Sequence, residues 1–280
     1  PVVNPSIWPL DLFIKKEITK TIIIAASNTQ GVNLYMDFIY NILYSYKKIF
    51  SSIVIMLEKY YNESDYDYEI CIDEVGRGCL FGDVVVASSI LPKPCNFPCD
   101  NIKDSKKFTS KIKLARESEH IKENVLYYHI ASISPAVIDD INILQAVMEG
   151  MHQCAQRSIE FLKQHNPELD LSRVLLLIDG NYFKSFEFDG MKIPYITVKQ
   201  GDGKYVGIAA ASILAKVHRD TSIKELCEQY PLLQEYYSLK SNVGYAAKVH
   251  RDGIKKYGIT KYHRKTFGEL CRSSAVNDII

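Results

Sequence analysis

The sequence predicts an α/β fold: a mixed central β-sheet flanked by helices, with a C-terminal helical region and an N-terminal extension. Two observations point there. Tyr68–Asp73 and Val84–Ile90 are short apolar runs separated only by the Gly76–Gly82 turn, which makes them antiparallel neighbours. Beyond them strand and helix patterns alternate, which lays helices on the sheet faces.

Residues 1–65 form the extension. They are rich in Tyr, Asn and Ile, and Ile22–Ile24 reads as a short strand. From Asp37, the residues Phe38, Ile42, Ile49, Ile53 and Leu57 recur at mostly helical spacing, predicting an amphipathic helix to about Tyr61. Asn62–Asp67 is acidic and polar and is the expected linker. Residues 66–230 then form the main domain. Thr109–Asn124 is helical and Val125–Ala131 a strand. Pro135–Gln164 is one long helix or two abutting ones, with Ser134 as N-cap and Pro135 as first helical residue. Arg173–Ile178 is a strand, apolar from Val174 onwards as burial on both faces requires, and Pro194–Lys199 is another. Tyr205–Tyr230 is helical. Residues 231–280 form the C-terminal region, with helices near Leu232–Leu239 and Ala246–Tyr257.

At 280 residues, 47% hydrophobic and 24% charged, the chain is a soluble globular protein. Its net charge of +1 hides an uneven distribution: eight Lys or Arg and a single acid, Asp252, lie between Lys240 and Phe267. Such a surface suits a phosphate backbone, although a solvated helix face has the same composition. Seven scattered cysteines read as reduced thiols of an intracellular, cytoplasmic protein; Cys95 and Cys99 lack the second pair or His that a metal site needs. The longest apolar stretch, Ile49–Leu57, is far short of the roughly 20 residues of a membrane span, and there is no secretory signal. The opening Pro1 leads to the expectation that numbering starts inside a processed product.

Four carboxylates stand where ordinary strands and loops need none. Asp73 and Glu74 open Asp73-Glu74-Val75-Gly76-Arg77-Gly78. Asp179 ends the run Val174–Ile178, and Asp202 lies in Gly201-Asp202-Gly203-Lys204 before a small-residue helix. Clustered acids repel unless something cationic lies between them. The pattern points to a pair of divalent ions working on a phosphodiester, and all-oxygen ligands select Mg²⁺ or Mn²⁺ over Zn²⁺. Adjacent strand residues face opposite ways, so this reading expects the strand to distort at Glu74, letting its side chain curl round beside Asp73. Each acid alone has a plainer reading: Asp202 as a helix cap, Asp179 as a turn residue, Glu74 as a solvent-facing side chain.

The blocks Ile72–Gly78, Asp104-Ser105-Lys106-Lys107, Ile141–Leu144, Ile178-Asp179-Gly180-Asn181, Gly201-Asp202, Ile208–Val217 with Arg219-Asp220, and Gly244-Tyr245 resemble the ribonuclease HII (type 2 ribonuclease H) family. His250, Tyr257-Gly258 and His263–Phe267 follow in family order, and the likeness covers roughly residues 68–268. It implies a ribonuclease H-like fold and a monomeric endonuclease using two metal ions. The substrates would be the RNA strand of RNA–DNA hybrids and single ribonucleotides within duplex DNA, cut on the 5′ side to leave 5′-phosphate and 3′-hydroxyl. It assigns catalysis and metal binding to Asp73, Glu74, Asp179 and Asp202. Backbone groups of Gly76, Arg77 and Gly78 would hold the ribonucleotide and its 2′-hydroxyl, the group that distinguishes RNA from DNA. Tyr245 would stack on the following deoxyribose. Lys106, Ser212 and Lys216 are further substrate contacts, with helix packing and a solvated helix end as the plainer readings of the last two. His263 and Arg264 either brace the tail or touch the backbone.

The likeness has departures. Ala247 stands where the family usually has Thr, and in Lys199-Gln200-Gly201-Asp202 the lysine is one residue further back. The nearest rival is a ribonuclease HIII-like nuclease, against which Arg77 counts, since that family has Lys there. A non-catalytic nucleic-acid-binding protein of the same fold is disfavoured by the presence of all four acids. A catalytic subunit needing partner chains is a further alternative.

Overall fold

The computed structural model describes residues 56–279. The strand expected at Ile22–Ile24, and the helix expected from Asp37 as far as residue 55, lie outside the described residues. The expected last turn of that helix is extended instead. Glu58 forms a parallel bridge to Tyr205: its N–H donates to the Lys204 carbonyl (2.8 Å) and its carbonyl accepts from the Val206 N–H (2.9 Å). Pairing across the chain satisfies backbone groups that a frayed helix end would leave to solvent. The acidic stretch expected as a linker is a hydrogen-bonded turn. Its preceding N–H groups, on Tyr61 and Asn62, donate to the Glu69 carboxylate at 2.8 and 3.1 Å, and Arg173 pairs with Asp67.

Strand β1 (Tyr68–Val75) and antiparallel β2 (Val84–Ile90) form the predicted hairpin. Helix α1 (Lys111–Asn124) follows, its N-cap Ser110 accepting from the Lys113 N–H, then β3 (Tyr127–Ile133). Helix α2 (Pro135–His165) is two abutting helices. Asn142 breaks it with φ 65° and ψ 163°, and its side chain caps the second half by accepting from Leu144 and Gln145 N–H groups. Strand β4 (Val174–Asp179), the short hairpin β5 (Glu187–Phe188) and β6 (Met191–Lys192), strand β7 (Tyr195–Val198) and helix α3 (Val206–Gln229) complete the central layers. Four short helices close the chain: α4 (Pro231–Tyr237), α5 (Leu239–Asn242), α6 (Lys248–Tyr257) and α7 (Gly268–Ser273).

The main sheet runs β3-β2-β1-β4-β7, with β4 parallel to both β1 and β7 and the other pairs antiparallel. Alternation divides β1 cleanly. Ile70 and Ile72 join Val84, Val86, Leu176 and Ile178 under α2, whereas Cys71 faces α3 with Leu175, Leu177 and Ile208. The small residues of α3 let it approach closely: a Cβ on Gly207 would lie 2.3 Å from the Cys71 sulfur, and Ala209, Ala210 and Ala211 are fully buried. A third core, of Phe81, Ile223, Cys227, Leu233, Tyr237 and Ile254, joins the end of α3 to the C-terminal helices.

The expected distortion at Glu74 is absent. The β1–β2 ladder continues with Asp73 opposite Ala87, Glu74 opposite Val86 and Val75 opposite Val85. The chain turns one residue later, at Gly76 (φ +91°). All seven cysteines are free. No helix among the described residues is long and apolar enough to cross a membrane.

Helix α6 starts after Ala247, whose backbone is extended (φ −60°, ψ 155°) and which offers no side-chain cap. Replacing Ala247 with Thr supplies the missing acceptor. The expected outcome is about 1 kcal/mol of added stability, read as a higher urea midpoint at unchanged m-value. An unmoved midpoint would contradict this account of the helix start.

Candidate active site

The parallel register of β1 and β4 builds the site. Ile72 lies level with Ile178, so the next residues, Asp73 and Asp179, stand side by side at the strand ends. Both belong to the odd-numbered set that faces α3, with Cys71, Leu175 and Leu177. Asp73 is only 5% exposed and accepts from the Glu74 N–H at 2.7 Å. Asp179 accepts from the Gly201 N–H at 2.6 Å, which draws the turn Gly201–Gly203, and with it Asp202, towards the pair. A Cβ on Gly201 would lie 2.5 Å from Ile208, so only glycine allows this approach. Asp202 is buried and caps nothing: α3 begins at Tyr205 with no side-chain cap.

Burial and mutual repulsion raise the proton affinity of Asp73, Glu74 and Asp179. Asp73 is pushed well above the ordinary carboxylate range by burial, then by Asp179 and Glu74. Glu74 leaves the strand on the opposite face. Burial pushes it up to about 7, with Arg77 opposing and Asp179 adding to the rise. Asp179 is raised by burial, against the pull of the Gly201 N–H, and further by Asp202. The compensating cations are few. Arg77 reaches Glu74 at 3.4 Å, and Lys106, with 81% of its side chain exposed, reaches Asp202 at 3.3 Å. Among the described residues no three His, Cys, Asp or Glu side chains close to the spacing of a formed metal centre. The four acids share one crevice, with Lys106 inserted at its Asp202 side.

The loop after β1 is tied to the C-terminal region by two buried arginines. Arg219 donates to the carbonyls of Asp83, Phe81 and Val243 at 3.0, 2.8 and 2.7 Å. Arg264 donates to the carbonyls of Arg77 and Gly82, both at 3.0 Å. A Cβ on Gly76 would lie 2.2 Å from Arg219, whereas Gly78 faces open space. The Leu80 N–H donates to the Gly244 carbonyl at 2.8 Å, which places Tyr245, 44% exposed, beside the loop.

The predicted residues therefore divide. Asp73, Glu74, Asp179, Asp202 and Lys106 come together at the carboxyl ends of the central strands β1 and β4, and Gly76, Arg77, Gly78 and Tyr245 form an adjoining surface. Ser212 is buried, 3.1 Å from the Ser105 hydroxyl, and packs behind Asp73. Lys216 pairs with Asp220 at 2.8 Å. His263 and Arg264 are buried braces. From sequence, Arg219 is no more than part of a motif, yet a signal for its role is there. Ala215, Arg219, Ile223 and Cys227 form one i, i+4 row, and all four are buried. A cation on an apolar helix stripe must find internal acceptors.

A protein-family model described as Ribonuclease HII matches residues 70–270. The chain belongs to the ribonuclease HII family. A ribonuclease HII from Cytophaga hutchinsonii is 41% identical over 204 residues, spanning 73% of this chain and 91% of that protein. One from Parabacteroides distasonis is 45% identical over 195 residues, or 70% and 87% of the two chains. Among solved structures, the ribonuclease H2 of Pyrococcus horikoshii OT3 has a TM-score of 0.51 at 22% identity, covering 73% of this chain and 95% of that one. The ribonuclease HII of a PCNA complex from Archaeoglobus fulgidus gives 0.51 at 23% identity, covering 72% and 95%. These two structures share the ribonuclease H-like fold with this ribonuclease HII chain.

The raised Glu74 carries a pH signature in the metal-free protein. In the unfolded chain it ionises near 4.5, in the fold near 7. Below pH 4.5 it is protonated in both states and has no effect. As pH rises towards 7 the fold keeps a proton that the unfolded chain has lost, so stability falls; above about 7 the loss is complete. Glu74→Gln is expected to raise the unfolding free energy at pH 8 by on the order of 3 kcal/mol, read as a higher unfolding temperature, and to leave it unchanged at pH 4. A gain of equal size at both pH values would contradict this.

Proposed function

We propose that this chain is a self-sufficient, monomeric ribonuclease HII that nicks duplex DNA on the 5′ side of an embedded ribonucleotide as well as the RNA strand of hybrids. Family membership makes it an endoribonuclease of RNA–DNA hybrids. The observation that carries the finer reading is the juxtaposition of the four-acid crevice with a glycine-walled loop clamped beside Tyr245.

Asp73, Glu74, Asp179 and Asp202 fit a divalent-metal role. Their donors are all oxygen, which suits Mg²⁺ or Mn²⁺, and the raised proton affinities of Asp73, Glu74 and Asp179 mark a place where positive charge is lacking. A pair of such ions supplies a deprotonated water as nucleophile and neutralises the 3′ leaving oxygen. The chain's own residues do the rest. Burial of Asp73 and Asp202 and the Gly201 N–H hold the carboxylates in place. Gly76 and Gly78 expose backbone to the ribose 2′-hydroxyl, Arg77 faces the phosphate, and the Tyr245 ring covers the next sugar, where a 2′-oxygen would clash. Lys106 neutralises phosphate charge once released from Asp202. The basic surface of residues 231–280 carries the duplex backbone. His250 and His263 are buried and bonded to each other, so neither serves as a base.

The test offers a DNA duplex with one ribonucleotide, an all-DNA control and a long RNA–DNA hybrid, with Mg²⁺ or Mn²⁺. The expected product is a single nick 5′ of the ribonucleotide, leaving 5′-phosphate and 3′-hydroxyl, and no cutting of the control. Asp73→Asn is expected to fold normally and lose activity by at least about 100-fold, beyond the loss typical of an outer-shell change. Cutting of the long hybrid alone would favour HIII-like specificity, and an active Asp73→Asn would defeat the assignment.

A further inference from the structure

Tyr245 carries its ring at the surface, yet its backbone ends a buried chain of hydrogen bonds. The Thr260 N–H donates to His263 Nδ1 at 2.9 Å, and the Thr260 hydroxyl lies 3.0 Å from the same nitrogen. His263 Nε2 lies 3.1 Å from His250 Nε2, and His250 Nδ1 lies 2.8 Å from the Tyr245 carbonyl. The three residues Thr260, His263 and His250 are at most 1% exposed.

The bonding fixes every proton. A backbone N–H only donates, so His263 Nδ1 is the bare, accepting nitrogen, and a neutral His263 carries its proton on Nε2. That Nε2–H donates to His250 Nε2, which must then be bare. His250 consequently carries its proton on Nδ1, and a carbonyl, which only accepts, takes it. Only this pair of opposite tautomers satisfies the whole chain, and a proton added between the two Nε2 atoms would set two donors face to face. Burial and the neighbouring ring favour the neutral state, holding His263 down to about 3 and His250 below its ordinary value.

The relay is placed to act on the substrate surface. The ring of His263 meets the Phe81 ring edge-on, with centroids 4.9 Å apart, and Phe81 pairs with His263 through an isolated backbone bridge. Phe81 also gives its carbonyl to Arg219. A Cβ on Gly244 would lie 2.6 Å from that same carbonyl. The histidines thus lie between the turn after β1 and the segment bearing Tyr245. The Tyr245 carbonyl also accepts from the Ala247 N–H at 2.8 Å, and with an uncapped start to α6 His250 anchors that carbonyl while the Tyr245 hydroxyl bonds to the Cys79 thiol.

We propose that His250 and His263 are positioning residues that, through a fixed pair of opposite tautomers, hold Tyr245 at the distance from the Gly76–Gly78 loop at which a ribonucleotide–deoxyribonucleotide junction is read. The proposal rests on the reading of Tyr245 given under the proposed function. Neither histidine touches the reacting atoms.

Two measurements test it. The first is ¹⁵N NMR of the histidine rings in the unliganded full chain at pH 7. The expected spectrum shows His250 as the Nδ1–H tautomer and His263 as the Nε2–H tautomer; any other pairing, or a doubly protonated ring, overturns the relay. This needs no substrate, so its outcome does not depend on whether single ribonucleotides are nicked. The second compares His250→Asn with His250→Gln. Asn places an N–H donor near the lost Nδ1, whereas Gln places its polar end near Nε2 and leaves the Tyr245 carbonyl without that donor. His250→Gln is expected to raise KM for the single-ribonucleotide duplex about tenfold, the cost of one buried hydrogen bond, with little change in kcat or on a uniform hybrid. His250→Asn is expected to recover most of that loss. A volume-filling role predicts the reverse order, since Gln is nearer in size, and equal effects on both substrates would likewise overturn the proposal.

Discussion

The parallel pairing of β1 with β4 is the constraint on which the site depends. It sets Asp73 level with Asp179 on one face of the sheet, one residue past the last β1–β4 pair, Ile72 with Ile178. A buried and a half-buried acid so placed repel each other, and the Gly201 turn and Glu74 bring two more to the same crevice. Nothing in the fold neutralises four carboxylates: Lys106 and Arg77 reach one each, from exposed positions where such pairs are weak. The fold holds the acids together by burial and backbone donors and leaves positive charge to be supplied from outside. Stability is given up locally at a site that, in the proposed function, a divalent cation completes.

The surface proposed to select the substrate is held by a different device. Arg219 and Arg264 are buried, among the described residues have no carboxylate partner in hydrogen-bond contact, and spend their donors on backbone carbonyls of the turn after β1 and of the Val243 segment. Burial costs Arg264 enough to draw its pKa down to about 10, and its Nη2 is without a partner. A guanidinium suits this task because its planar fork serves several acceptors at once. The result is that loop and Tyr245 segment, separated by over 160 positions in the chain, are bonded together. The histidine relay extends that bracing from the other side.

Much of this was legible in the residues themselves. The hairpin, the apolar Val174–Asp179 strand, the small-residue helix and the two-part Pro135–His165 helix follow from periodicity and caps, because those signals are local. The convergence of Asp73 and Asp179 was also anticipated, since both close apolar strands. Local pattern misplaced Glu74: the glycines suggested a distorted strand, yet cross-strand pairing carries the ladder through Val75 and the chain turns at Gly76. It misread Leu57–Tyr61 as helix because the partner for that backbone, Lys204–Val206, is remote in sequence. For Arg219 the one local signal is its place in a buried i, i+4 row, and bracing by His263 was one of two readings. The partners of Arg219 and His250 were out of reach, because backbone carbonyls are recorded in no side-chain pattern.

The most direct test of the central claim is Mn²⁺ uptake by the metal-free protein, followed by the loss of the free-ion EPR signal at pH 8 in wild type and in Asp179→Asn. A shared carboxylate site predicts saturable uptake by the wild type and an affinity at least about 100-fold weaker in the variant. Equal uptake by the two proteins would contradict it.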